Sequence, residues 1–419
     1  MKVSNGDRCE ISSRSSLINL GVECKESIRT MRRESARSFS SLVALYARCI
    51  CNRNPVYAPV MAIEIKRRPT RLIHVGPVAV GGGAPITVQS MTNTPTQDVA
   101  ATVAQIGRLE AAGCEIVRVA VPDEAAAEAV AAIKAGIRIP LIADIHFDYR
   151  LALAAAKGGA DGLRINPGNI GGRKKVQAVV DCARDLGLPI RIGVNSGSLE
   201  KELLQRYGGG TAAAMVESAL GHVALLEKAG FQEIKISLKA SDVLRTVEAY
   251  RLLAERVDYP LHVGVTEAGS LYAGTVKSAL GIGMLLAEGI GDTLRVSLTR
   301  DPVEEVRVGF EILKALNIRR HGPEIISCPT CGRCNINLME VVDRVEKALL
   351  TRDVPVKLAI MGCVVNGPGE AREADIGVAG GQGQGILFKK GKVVKKVPQE
   401  KLVEVLLLEV DRWEKEHKK

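Results

Sequence analysis

The sequence predicts an α/β protein, a (β/α)8 TIM-type barrel followed by a smaller α/β domain. Three observations predict it. Eight short β-rich apolar runs recur between residues 86 and 299, each followed by a turn and an Ala/Leu-rich amphipathic stretch. Eight such units in roughly 250 residues match the size and count of a closed barrel. Beyond about residue 320 the alternation stops and cysteines cluster. An open doubly wound sheet is the competing architecture, but it carries fewer strands and often a Gly-rich dinucleotide turn, which this sequence lacks.

Residues 1–60 differ from the rest. They are rich in Ser and Arg and hold no sustained period of 2 or 3.6. Met61 is a second plausible start, after which strand-like patterning begins. This stretch reads as a disordered extension or a start site assigned too far upstream. A transit peptide is the rival reading, and the five acidic residues argue against it.

The barrel is expected over 61–320. Its strand candidates are ITVQSM (86–91), EIVRVAV (115–121), PLIADIH (140–146), GLRINPG (162–168), IRIGVNS (190–196), EIKISLK (233–239), LHVGVTE (261–267) and TLRVSLT (293–299). Helix candidates between them include 98–112, 124–135, 172–187, 213–229 and 242–256. Gly113, Gly136, Gly187 and Gly230 stand where a left-handed residue would cap a helix C-terminus. The second domain is expected over 321–419. It offers a helix near 336–350, the strand VKLAIMG, the loop CVVNGPGE, the strand ADIGVAG, a basic hairpin GILFKKGKVVKKV and a final helix near 398–416. The runs GGG (81–83) and GGQGQG (380–385) lack the Lys-Ser/Thr of a phosphate loop and read as turns.

Bulk properties narrow the function. Hydrophobic content of 46% with 25% charged residues is ordinary for a soluble protein, and no apolar run approaches the ~18 residues of a membrane span. The expectation is a soluble, cytoplasmic protein with no membrane partner. Residues 1–60 contribute +5 of the net charge of +10. Aromatics are 3%, too few for the base-stacking platforms of a nucleic-acid binder. Basic residues of the body fall singly at the ends of apolar runs, as a small anionic ligand would require.

The strand ends supply the chemistry. In this fold the active site lies at the C-terminal ends of the strands. Those ends carry Arg118; Asp144 and His146; Arg164 and Asn166; Arg191 and Asn195; Lys235, Ser237 and Lys239; His262 and Glu267; Arg295 and Ser297. Residues two apart share a face, so each same-strand set points one way. Strands buried on both faces are normally continuous apolar runs, so the set as a whole is expected to face inward as a ring of cations. Burying cations together is costly unless an anion neutralises them, and Arg matches phosphate geometry with paired hydrogen bonds. Asp144, His146 and Glu267 add candidate proton-transfer groups. His74 and His222 are given no role.

Ten cysteines divide into three groups. Cys9, Cys24, Cys49 and Cys51 lie in the first 60 residues. Cys114 and Cys182 sit inside strand and helix patterns and read as small buried hydrophobes. Cys328, Cys331, Cys334 and Cys363 cluster near the end, where a chain without a secretory signal is expected to bind metal or run redox chemistry. Three thiolates on loops flanked by Gly and Pro suit an iron–sulfur cluster. Zinc remains the alternative, although a zinc site made of four cysteines normally has two separated pairs and the second half here offers one Cys.

Taken together, VQSMTNT, ADIHF, RINPGN, RIGVNSGSL, HVGVTEAG, SCPTCGR and GCVVNGPGE resemble the 4-hydroxy-3-methylbut-2-enyl diphosphate synthase family of the non-mevalonate isoprenoid pathway, in its two-domain bacterial form. The likeness runs from about residue 66 to about 412 and leaves out residues 1–60. It implies reductive dehydration and ring opening of 2-C-methyl-D-erythritol 2,4-cyclodiphosphate, with two electrons delivered through a 4Fe–4S cluster. By motif the cluster ligands fall on Cys328, Cys331, Cys363 and Glu370. Cys334 departs from the commonest family pattern and reads as a bystander near the cluster. The resemblance also implies Arg118, Arg164, Lys239, Arg295 and Ser297 as the diphosphate grip and Glu267 as proton donor. Asp144, His146, Asn166, Asn195 and His262 would line the site, and Arg191 belongs to the same cationic set. It further implies a homodimer, with the cluster domain of one subunit capping the other's barrel, and flavodoxin or ferredoxin as electron donor. The rival readings are a non-redox barrel transferase for a phosphate or pterin substrate, with a structural zinc domain, and a scaffold with a dead site.

Overall fold

The computed structural model describes residues 64–417 apart from 364, 366–368, 370–372 and 382. The expectations for residues 1–60 and for Glu370 lie outside the described residues. In chain order the elements are β1 (Ile73–Val75), β2 (Val78–Val80), β3 (Thr87–Met91), α1 (Val99–Ala111), β4 (Ile116–Ala120), α2 (Glu124–Ala135), β5 (Leu141–Asp144), α3 (Tyr149–Lys157), β6 (Gly162–Ile165), α4 (Pro167–Ile170), α5 (Arg173–Asp185) and β7 (Ile190–Asn195). There follow α6 (Lys201–Tyr207), α7 (Ala212–Lys228), β8 (Ile234–Lys239), α8 (Val243–Ala254), β9 (His262–Val263), α9 (Leu271–Ala287), β10 (Thr293–Leu294), α10 (Pro302–Ala315), β11 (Glu324–Ser327), α11 (Leu338–Leu349), β12 (Lys357–Met361), β13 (Ile376–Gly381), β14 (Gln384–Lys389), β15 (Lys392–Pro398) and α12 (Leu402–His417).

Strands β3 to β10 form one parallel sheet in the order β8-β7-β6-β5-β4-β3-β10-β9. A parallel bridge between Ile236 and Leu261 joins its two ends and nearly closes the barrel. Eight strands give an interior that side chains can fill. The β1–β2 hairpin packs Ile73, Val75 and Val80 on Ile116 and Ile142 and plugs the N-terminal end. Several barrel helices start on a side-chain cap: Asp98, Asp123, Asp148, Thr211, Asp242 and Asp301 each accept a backbone N–H of the first turn. Gly113, Gly187 and Gly230 have the positive φ that a left-handed cap needs. Gly136 does not, at φ −94°, because its N–H turns back to Ile133 and Lys134 and closes the helix in a tightened last turn.

Four strand expectations run too long by three residues or more, and the third barrel strand is only Leu141–Asp144. The fourth barrel strand stops at Ile165, because Asn166 caps α4 and Pro167 opens it. Strands seven and eight are only His262–Val263 and Thr293–Leu294. The chain leaves the ladder at Gly264, which has no room for a side chain: a Cβ at 264 would meet the Arg295 carbonyl first and stand 2.9 Å from Lys239 Nζ.

The C-terminal domain is a five-stranded sheet in the order β11-β12-β13-β14-β15, with its first three strands parallel and its last two antiparallel. Helices α11 and α12 cover one face through Val341, Val345, Leu349, Leu402, Leu406 and Val410. The linker to it runs along the barrel's N-terminal end. There Arg319 makes a paired contact with Glu115, at 2.9 and 3.0 Å, and His321 packs tilted against Phe310 while pairing with Asp353 at 3.0 Å. The domain therefore attaches at the end of the barrel opposite the strand C-termini. Among the described residues no helix is long and apolar enough to cross a membrane.

Candidate active site

The inward set lines the barrel interior, with Lys235 near the start of β8 and Lys239 at its mouth end. Asp144, Arg164, Asn166, Arg191, Lys235, Ser237, Lys239 and His262 are all buried. Asp144 is the hub. Its Oδ1 accepts from Arg164 Nη1 at 3.0 Å, its Oδ2 lies 3.5 Å from Arg118 Nε, and His146 Nε2 stands 3.6 Å from Oδ1. Burial alone would raise the Asp144 carboxyl. Arg118, the His146 hydrogen bond, Arg164 and Arg191 outweigh it and hold the group well below the usual carboxylate range. Arg118 also donates from Nε and Nη2 to the Met91 sulfur, at 3.2 and 2.9 Å. Arg164 reaches the Gly193 carbonyl at 3.3 Å.

Strands β7 and β8 hold cations without an ion-pair partner of their own among the described residues. Arg191, Lys235 and Lys239 make no ion pair among the described residues, and Lys235 Nζ and Arg191 Nη1 have no hydrogen-bond partner there. Burial first, then the neighbouring cations, pushes Lys235 down to about 7 and drives Lys239 and Arg191 well below their ordinary values. His262 is fully buried and driven well below its ordinary value by burial and by Arg191. Lys239 in its ammonium form has only donors, so His262 accepts it at Nε2 (3.4 Å) and donates from Nδ1 to Thr293 Oγ1 (2.5 Å).

Other expected residues sit less centrally. Ser297 accepts from Arg295 Nη1 at 3.1 Å. The Asn166 side chain accepts the Gly168 N–H at 3.1 Å and so caps α4. Asn195 ends β7. Glu267 is exposed, makes no hydrogen bond or ion pair among the described residues, and has a φ of +53°. Four residues that matter here escape a sequence reading: Glu305, Met91, Thr293 and His222. The last bonds Glu200 at 3.0 Å, and a Cβ at Gly168 would stand 2.9 Å from its ring.

In the second domain, β11 and β12 are parallel neighbours, so Cys328 and Cys363 leave adjacent strand ends. The Gly362 N–H donates to Cys328 Sγ at 3.3 Å. The Asn335 N–H returns to the Gly362 carbonyl at 2.9 Å, which folds the 331–335 turn onto the same strand end. A Cβ at 362 would stand 2.5 Å from Cys334 Sγ. Cys363 is buried and Cys331 exposed. Soft thiols gathered with an N–H aimed at sulfur fit an iron–sulfur cluster in donor chemistry. Among the described residues no three donors already stand round a common point as a metal site.

A barrel with a cation-lined mouth and an appended thiol-bearing domain defines a TIM-barrel enzyme for an anionic substrate. Family models specify it further: the GcpE TIM-barrel domain matches residues 70–310 and the GcpE protein C-terminal domain matches residues 324–412. The chain belongs to the GcpE family. It is 66% identical over 343 residues to a 4-hydroxy-3-methylbut-2-en-1-yl diphosphate synthase (flavodoxin) of Geobacter sulfurreducens, which covers 82% of this chain and 97% of that protein. Proteins of the same name from Desulfotalea psychrophila (60% identical; 85% and 98% covered) and Geobacillus kaustophilus (58%; 84% and 94%) are also similar. A dihydropteroate synthase from Xanthomonas albilineans aligns at 16% identity with a TM-score of 0.41, over 56% of this chain and 93% of that chain, too weak a likeness to favour the transferase reading.

Proposed function

We propose that this chain catalyses the reductive dehydration of 2-C-methyl-D-erythritol 2,4-cyclodiphosphate to 4-hydroxy-3-methylbut-2-enyl diphosphate. Two electrons are taken up, the ring C–O bond to the diphosphate breaks, and a hydroxyl leaves as water. The observation that carries the reading is the trio Arg191, Lys235 and Lys239, buried with no carboxylate partner among the described residues. Such a site is costly until an anion enters it. A diphosphate supplies that charge, and relatives whose names specify this product share most of the chain.

Arg118, Arg164, Arg191, Lys239, Arg295 and Ser297 grip the diphosphate. Asp144 aims Arg118 and Arg164, while His146, Asn166, Asn195 and His262 line the pocket. Glu267 protonates the leaving hydroxyl. Its positive φ is unusual for a residue with a side chain, and such strain clusters at functional sites. Cys328, Cys331, Cys363 and Glu370 would hold a 4Fe–4S cluster, which when bound supplies the electrons and an iron able to polarise a substrate oxygen. Cys334 stays outside this ligand set.

The printed names of the relatives support flavodoxin as donor. Lys390, Lys392, Lys395 and Lys396 form an exposed basic rim that would steer an acidic electron carrier. A homodimer fits two features. The thiol-bearing domain attaches away from its own barrel mouth. Helix α9 also exposes Tyr272, Val276 and Leu280, four residues apart and so on one face.

Anaerobically purified protein tests the reading. About four iron and four acid-labile sulfide per chain are expected. Zinc without sulfide would favour the transferase instead.

A further inference from the structure

Beyond β10 the eighth strand keeps one backbone bond to its neighbour, from the Arg295 N–H to the Val263 carbonyl at 3.0 Å, which leaves the aim of the Arg295 side chain and of Ser297 to other contacts. One carboxylate takes over that task. Glu305, in the first turn of α10 and buried, accepts Arg295 Nε at 3.2 Å on Oε2 and Arg295 Nη2 at 3.1 Å on Oε1. The Leu298 N–H reaches Oε1 at 2.9 Å, and Ser90 Oγ reaches Oε2 at 3.2 Å. Both oxygens are thus doubly used, and they tie α10 to two other segments, β3 and the post-β10 turn. With Nε and Nη2 engaged by Glu305 and Nη1 touching Ser297 Oγ, Arg295 keeps one aim across the barrel mouth.

We infer that Glu305 is a positioning residue for substrate binding: its carboxylate locks Arg295 and the Ser297–Leu298 turn so that the guanidinium and the hydroxyl meet the diphosphate together. Glu305 touches no substrate itself. Ser90 in turn holds the carboxylate, which gives the VQSMTNT stretch a task at the site. The role rests on the diphosphate reading above and names a residue outside the gripping set.

The distinction between aiming and mere structural support is measurable, because a misaimed Arg295 weakens the substrate grip more than it slows turnover. Glu305→Gln keeps the shape but turns an amide toward two guanidinium donors. In the full-length holoenzyme we expect KM to rise at least tenfold with kcat changed less than threefold, and the Kd for inorganic pyrophosphate to rise by a similar factor. In an Arg295→Met background the same change should add less than twofold to that Kd. If Glu305→Gln folds and binds pyrophosphate as the wild type does, or if its effect is undiminished without Arg295, the inference fails. Should Glu305→Gln not fold, Ser90→Ala decides: a Kd two- to fivefold weaker supports the role, and an unchanged Kd overturns it. Wild-type protein that ignores pyrophosphate would instead overturn the diphosphate reading on which the role rests.

Discussion

Gly193 leaves open the space that the Arg164 guanidinium fills: a Cβ at 193 would stand 2.7 Å from Arg164 Nη2 and closer still to Nε. The two residues lie on adjacent strands, where Arg164 pairs in register with Arg191. The glycine is thus a gap made for a cation, in a strand that also buries Arg191 among apolar side chains.

Gly193→Ala should therefore misplace Arg164 and loosen its contact with Asp144. Overpacking of this kind costs about 1–3 kcal/mol. The expected result is a KM raised roughly tenfold, with a Tm lowered by a few degrees, checked by steady-state kinetics and thermal melts. A variant with wild-type KM would show that Arg164 is free to bind from another position.

Stability should depend on pH through the unpaired floor of the barrel. Lys235 sits near 7 in the fold instead of its ordinary 10.5. Between those values the unfolded chain binds more protons than the folded one, so stability rises with pH across that window and is lowest below it. Lys239 and Arg191 are shifted in the same direction. Ligand-free wild type should gain Tm from about pH 7 upward, and Lys235→Met should flatten the rise. An identical slope in the variant would remove Lys235 from this account.

Gly362→Ala should disturb the thiol cluster by driving a methyl group into the Cys334 sulfur. We expect iron and sulfide content to fall in that variant and to recover in Gly362→Ala with Cys334→Ala. Cys334→Ala alone should keep a full complement. Loss of iron on replacing Cys334 alone would make it a ligand.

Much of this was legible in the sequence because the barrel interior breaks the apolar rule of buried strands. Arg164, Arg191, Lys235 and Lys239 stand out as charges in runs of Ile, Leu and Val, and their period of two gives a common direction. Helix ends were legible through Gly113, Gly187 and Gly230, which take the positive φ that a residue without a side chain allows. The sequence did not reveal how short β9 and β10 are, since closing the barrel depends on contacts far apart in the chain. Strand β11 has only four residues and no clear alternation. Glu305 follows Glu304 at a helix start and looks like an ordinary favourable acid there. Only the fold brings Arg295, Leu298 and Ser90 to it. Met91 gave no signal, because a thioether facing a guanidinium looks in sequence like any core methionine.

Turnover tests the account most directly. Anaerobically reconstituted full-length protein, given 2-C-methyl-D-erythritol 2,4-cyclodiphosphate and reduced flavodoxin, should convert the cyclic diphosphate signal in the 31P spectrum to that of an open diphosphate ester. Protein with a full complement of iron and sulfide that leaves the cyclic signal unchanged would contradict it.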